Sequence, residues 1–279
     1  MGLRISTNIA AMSANRALSH TSEDQAKSYM RLSSGNRITS AGDDAAGLSI
    51  SENLRAQIRS MGQAERNAND GISFVQVAEG GLTEIGNMMI RMRELAVQAS
   101  SDTVGEKERG FINQEVQSLS AEVNRIANVT NYNGTSLLNG ESAKSELQFQ
   151  VGIRKENDDA DRIVFQPNDY NVKTSELGID GISYETIDEA REAMDKVDGG
   201  IAKVFEARAR LGATQNKLHA TVNNLGVARE NLANARSRIA DTDIAAETSD
   251  LVRGQVLQAA GVAVLAQANS SPMQALKLL

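Results

Sequence analysis

The residues that could carry catalysis are few. His20 and His219 are the only imidazoles in 279 residues. An imidazole acts as a base or a ligand only when neighbouring groups orient it. These two fall on different predicted helices among polar neighbours, which reads as surface or seam positions. Asp158, Asp159 and Asp161 suggest a calcium loop at first sight. A helix-loop-helix calcium loop needs a Gly at its sixth position and a Glu at its twelfth. This stretch does not supply that pattern and reads as a charged hairpin tip. Gly80-Gly81 has no Lys-Ser/Thr after it and no G-x-G-x-x-G context, so it is no phosphate loop. Met88, Met89 and Met92 read as seam packing rather than an adaptable groove. Asn128-Val-Thr130, Asn133-Gly-Thr135 and Asn269-Ser-Ser271 match a glycosylation triplet, a pattern frequent by chance. The chain has no cysteine, hence no disulfide and no thiol chemistry. No enzyme site, metal set or cofactor motif emerges.

The chemistry that does emerge is association. From Val256 to Ala268 only Gln258 and Gln267 are polar. An apolar chain end left in water is a sticky patch, and this one is too short to span a bilayer, which takes about 20 apolar residues. It needs a protein partner. Within the chain the expected partner is the other end, where Ile5, Ile9 and Met12 step by four and three. Ile5, Ile9, Met12, Leu251, Leu257, Val264 and Leu265 are therefore the expected self-assembly residues.

The elements that position these ends are long helices. Residues 3–34 read as a first helix, stopped by Gly35 as a C-cap. Asn36 to Gly42 is a linker. Asp43 and Asp44 stand where an N-cap and the helix dipole favour acids. A helix over 43–99 carries Leu82, Ile85, Met89, Met92 and Ala96 in unbroken three-four alternation, the spacing of a coiled-coil seam. At 1.5 Å per residue it spans roughly 85 Å. Gly80-Gly81 is its weak point, each Gly costing about 1 kcal/mol against Ala. A helix over 106–129 repeats the alternation. Asn131 to Gly134 is a turn signal. Between Gly140 and Gly181 the helical period disappears, and Leu147, Phe149, Val151 and then Ile163, Phe165 alternate at period two, a β-hairpin and the only clear β element. The third seam runs from Ile187 to Ile239, its gaps filled by Arg208, Gln215, Arg229 and Arg236, which can fix register at a cost in stability. Asp241-Thr242-Asp243 caps a terminal helix. The expected fold is mainly α: an antiparallel helical, coiled-coil rod with a small mid-chain β-hairpin and both termini paired as helices. Composition agrees. Aromatics make up 3%, with no Trp and two Pro, whereas large globular cores lean on aromatic side chains. A net charge of −7 argues against a nucleic-acid binder. The first thirty residues lack a continuous apolar stretch, so no signal peptide is visible. That points to the cytoplasm, or to export without a cleaved signal.

Several blocks resemble a known family. Ile5-Ser-Thr-Asn8, Leu32-Ser-Ser-Gly-Asn-Arg-Ile38 and Asp43-Asp-Ala-Ala-Gly47 resemble the N-terminal signature of bacterial flagellin. Met92-Arg-Glu-Leu-Ala-Val-Gln98 and Tyr132-Asn-Gly-Thr-Ser-Leu-Leu138 are similar to two later blocks. Ser237-Arg-Ile-Ala-Asp-Thr-Asp243 and Gln255 to Asn269 resemble the C-terminal region. Together the blocks cover about residues 1–140 and 180–279. The departure lies between them, where many flagellins insert outer domains and this chain has a hairpin-sized segment. The resemblance implies an extracellular filament subunit, exported unfolded by a type III route without a cleaved signal and polymerised under a cap protein. It implies an inner coiled-coil domain from residues 1–42 and 240–279, a next layer from 43–140 and 181–239, and a short outer segment, 141–180. Cap and hook-associated proteins, an export chaperone on the C-terminal helix, and Toll-like receptor five follow as implied partners; nucleic acid and membrane insertion do not. The positions matching the receptor contact are Arg91, Leu95 and Glu115, which on their own read as flank packing beside a solvated ion pair. Two other classes share some of these features. A hook–filament junction protein should lack the dense match over residues 32–138. A cytoplasmic signalling coiled coil needs no paired apolar ends.

Overall fold

In the computed structural model, residues 7–142, 146–154 and 161–276 are described. Ile5 and the hairpin tip at Asn157, Asp158 and Asp159 lie outside them. Two compact units form, one from residues 1–58 with 230–279, the other from 59–229. Both divisions fall inside long helices, inward of the boundaries expected at 42/43 and 239/240.

The first unit begins with α1, Ile9–Ser34. Asn8 caps it, its Oδ1 accepting from Ala11 N at 3.0 Å. Gly35 ends it with φ 69°, donating to Arg31 O at 2.8 Å; a left-handed stop of this kind favours glycine. Helix α2, Ala45–Ala99, starts one residue beyond the two aspartates. Asp44 is its cap, accepting from Gly47 N at 2.8 Å. Gly47 is required there, because a Cβ would stand 2.4 Å from Asp44 Oδ2. Asp43 instead turns back to bind the linker. Its Oδ2 accepts from Ser40 N at 2.9 Å, Thr39 N at 3.1 Å, and both hydroxyls.

Those bonds to the charged form, Ser40 N–H foremost, lower the Asp43 pKa from 3.8 to about 2. A depressed carboxylate stabilises above its unfolded value, ~3.9, and that contribution is lost as pH falls through about 2. The linker conformation is expected to persist at pH 3 and to loosen below pH 2. Carboxyl-carbon NMR titration checks this, and a midpoint near the ordinary value would contradict it.

In the second unit, part of α2 packs with α3, Glu106–Val129, and with part of α5, Ile187–Ala240. Leu82, Ile85, Met89, Met92 and Ala96 of α2 are fully buried, as are Val116 and Val123 of α3 and Ala190, Val197, Val204, Leu211 and Leu218 of α5. The seams of α2 and α3 and the third seam as far as Val222 thus share one core; Leu225, Leu232 and Ile239 are half-buried outside it. Arg229 Nη1 meets Glu65 Oε2 at 2.6 Å, and Arg93 pairs with Asp198, so α5 runs antiparallel to α2. Two of the polar gaps in the third seam, Arg208 and Arg229, reach α2 carboxylates on Glu79 and Glu65. Arg109 of α3 donates to the Ala99 and Ser101 carbonyls, occupying acceptors that the end of α2 leaves free.

The middle of the chain differs from expectation in two ways. There are two hairpins among the described residues, not one. β1, Asn131–Tyr132, pairs with β2, Thr135–Ser136, around Asn133 at φ 49° and Gly134 at φ 78°, the Asn-Gly turn of a tight hairpin. β3, Leu147–Gln150, pairs with β4, Arg162–Phe165, as the expected hairpin, with Phe149 opposite Ile163. The second difference is helix where none was expected: a 3-10 turn, Pro167–Tyr170, and α4, Thr174–Leu177. Both are too short to show a period. α4 is held from outside itself, Asn124 accepting from Thr174 N at 3.0 Å and donating to Thr174 Oγ1 at 2.8 Å.

Five of the nine aromatics gather under the hairpins. Phe74 meets Tyr132, Phe149 and Phe165 edge-on at 5.6, 5.5 and 4.8 Å, and Phe165 stacks on Tyr170 at 4.7 Å. Gly81 lets this region close on α2, since a Cβ would lie 2.8 Å from Leu138 Cδ1. The expected weak point of the helix is a contact point.

Candidate assembly surface

Helix α6, Ile244–Leu276, lies antiparallel on α1 in the first unit. Asp243 caps it, accepting from Ala245 N at 2.9 Å and Ala246 N at 3.2 Å. The chain enters α6 tied to the end of α1: Arg37 N donates to Ala240 O at 2.6 Å, and Thr242 N to Gly35 O at 2.9 Å. Along the pair, Arg31 faces Glu247 at 3.7 Å, Gln255 Nε2 donates to Tyr29 Oη at 3.2 Å, and Asn8 Nδ2 donates to Ala268 O at 2.8 Å. The expected pairing of the two ends is present.

Only part of the expected set makes the pair. Ile9 and Met12 are 63% and 60% exposed. The stripe of α1 toward α6 is Ala11, Ala14, Leu18, Thr21, Gln25 and Ser28, half-buried or buried in three-four alternation. On α6 the inward stripe is Leu251, Gly254, Gln258, Gly261, Leu265 and Ala268, all half-buried. Of the expected assembly residues, Leu251 and Leu265 therefore sit in the seam. Leu257 and Val264 are instead 55% and 58% exposed, Leu257 at the rim of the groove between the two helices. Val252, Val256, Val262 and Ile244 on α6, and Tyr29 and Met30 on α1, are exposed with them. Hydropathy hid this division, because α6 is apolar nearly all round and its inward stripe is marked by size.

The pair is thus inverted relative to an ordinary two-helix seam. Apart from Leu18, Leu251 and Leu265, the inward residues are small or polar, while several large apolar ones face water among charged neighbours.

Other candidate residues do not converge. His20 is exposed, 4.0 Å from Glu23, and His219 is an exposed residue of the other unit. Among the described residues no group of three His, Asp or Glu could hold a metal ion, and no helix is long and apolar enough to cross a membrane. Arg91 and Glu115 are exposed and paired at 3.0 Å, with Glu94 also on Arg91 at 3.1 Å. These carboxylates, Glu94 first, raise the Arg91 pKa. Leu95 is 2% exposed and lies inside the core, so the flank position expected for it is corrected: α3 runs beside α2 here and closes over it.

Comparisons with known proteins agree with the architecture. Residues 5–143 match the bacterial flagellin N-terminal helical region, and residues 194–279 the C-terminal helical region. The chain is 42% identical to the flagellar filament 31.3 kDa core protein of Treponema maltophilum and 42% identical to flagellin of Halalkalibacterium halodurans, covering 99% of each chain in both cases. Among solved structures it resembles Bacillus cereus flagellin, with a TM-score of 0.51 at 25% identity, over 57% of this chain and 88% of that one. It shares a fold, at a TM-score of 0.58 and 12% identity, with a Vibrio parahaemolyticus flagellar hook-associated protein, over 71% of this chain and 100% of that one.

Proposed function

We propose that this chain, which belongs to the bacterial flagellin family and is a structural subunit of the flagellar filament, polymerises through the outward apolar face of α1 and α6. The observation that carries this reading is the inverted polarity of the pair. Leu257, Val264, Ile9 and Met12 are more than half exposed, while the seam behind them sets only three leucines, Leu18, Leu251 and Leu265, among alanine, glycine, threonine, serine and glutamine. Fully burying one large apolar side chain contributes roughly 1.5–3 kcal/mol, and neighbouring copies repeat that gain at each such position. Ile5 belongs to the same self-assembly set by its spacing. Residues 1–42 and 240–279 supply the inner coiled-coil layer, 43–140 and 181–239 the next layer, and 141–180 the short outer segment.

The chain's work is mechanical, with no catalytic step. The same apolar residues of α6 offer an export chaperone its surface before assembly, in keeping with secretion that needs no cleaved signal. Cap and hook-associated proteins meet the subunit at the filament's ends. A contact with Toll-like receptor five would use Arg91 and Glu115, which are exposed, without Leu95, which is buried.

A seam of small residues holds a helix pair weakly, and isolated helices are marginal in water. Amides of α1 and α6 are therefore expected to exchange rapidly in dilute monomer and slowly in the filament. Amides around Met89 and Leu211, in the fully buried core, should be protected in both. Hydrogen exchange with mass spectrometry reads both states. Equal protection of α6 in monomer and filament would sink the proposal.

A further inference from the structure

We infer that Gly254 and Gly261 are sockets that fix the register of α1 on α6, and with it the alignment of the assembly face; the inference rests on the reading of that face given above. A Cβ on Gly254 would lie 3.0 Å from Gln25 Cγ and 3.4 Å from its Nε2. A Cβ on Gly261 would lie 3.4 Å from Leu18 Cδ1. Leu18 and Gln25 are one heptad apart on α1, and Gly261 and Gly254 are one heptad apart in the opposite direction on α6. Gln25 thus sits tightly on Gly254 and Leu18 rests on Gly261 at an ordinary contact distance, at the repeat an antiparallel seam requires.

Two further observations single out this fit. Glycine weakens a helix interior relative to alanine, so two in one seam call for a compensating contact. Gln25 is 8% exposed, and its Nε2 is enclosed without a hydrogen-bond partner. A shifted register that brought the amide to water would satisfy it. What holds it in place is the fit of its stem over Gly254. The consequence reaches the outer surface. A displaced register slides Leu257 and Val264 along the axis relative to Ile9 and Met30, and the shared apolar face no longer lines up.

The test uses the full chain carrying Ser28→Cys and Leu251→Cys, the next step of the same seam. The chain has no native cysteine, so the oxidised pair reports register directly. Gly254→Leu introduces a good helix former, so propensity does not explain a loss. It is expected to lower the cross-link yield in polymer pelleted from concentrated protein, and to raise the critical concentration about tenfold through overpacking. Adding Gln25→Ala, which reverses large and small across the seam, should bring both readouts back. An unchanged cross-link yield in Gly254→Leu overturns the socket, and so does a double variant that recovers neither readout. A cross-link that falls and recovers while the critical concentration stays constant retains the socket and overturns the assembly reading instead.

Discussion

Replacing Leu257 by aspartate is expected to stop filament growth while residues 59–229 stay folded. Leu257 is 55% exposed at the rim of the α1–α6 groove, so the free chain has little to lose there. Assembly reverses the balance. The leucine's burial, roughly 1.5–3 kcal/mol, disappears, and an unpaired carboxylate must leave water at a further cost of several kcal/mol. The critical concentration should rise by roughly 100-fold or more, since every 1.4 kcal/mol is a factor of ten. Sedimentation after adding sheared seeds measures it, alongside a thermal melt of the monomer. Leu265→Asp should also block growth for a different reason: Leu265 is half-buried in the seam, so it disturbs the α1–α6 pair itself. Normal pelleting of Leu257→Asp would mean that this side of α6 is not a subunit contact.

The largest effect on folding is expected at Phe165. It is 2% exposed, meets Phe74 at 4.8 Å and stacks on Tyr170 at 4.7 Å. Truncating a buried phenylalanine to alanine costs about 3–5 kcal/mol, and here the aromatic pairs go with it. For a unit of this size the melting temperature should fall by about 10 °C. Val164 points to the other side of the same strand and is exposed. Val164→Ala should therefore stay within about 0.5 kcal/mol of the parent. A Phe165→Ala melt as mild as that of Val164→Ala would show that the hairpin cluster adds little to the core.

Why these two sites differ was partly legible in the sequence. The long helices were, because Leu82 to Ala96 and Ile187 to Ile239 keep a three-four alternation that only a helix turns to one side. β3 and β4 were, because Phe149 and Ile163 sit in period-two runs. β1–β2 and α4 were not: each is shorter than the pattern that would announce it. α4 depends on Asn124, fifty residues away from Thr174. On α1 the stripe at Ile9 and Met12 was helical as read, yet it faces water. The stripe that packs, through Ala11, Ala14, Leu18 and Thr21, gives hydropathy little to find because most of its residues are small or polar. The spacing puts Leu95 on the flank of one seam, but α2 is covered on two sides here, so a position beside one seam lies under the other.

The central claim is that the outward side of the α1–α6 pair is water-facing in the free subunit and covered in the filament. Maleimide labelling of Val264→Cys tests it most directly, since the chain brings no cysteine of its own. Val264 is 58% exposed, so the thiol should react readily in dilute monomer and be protected in pelleted filaments. Arg154→Cys, an exposed position beside the β3–β4 hairpin, should react in both. Equal labelling of Val264→Cys in monomer and filament would contradict the account.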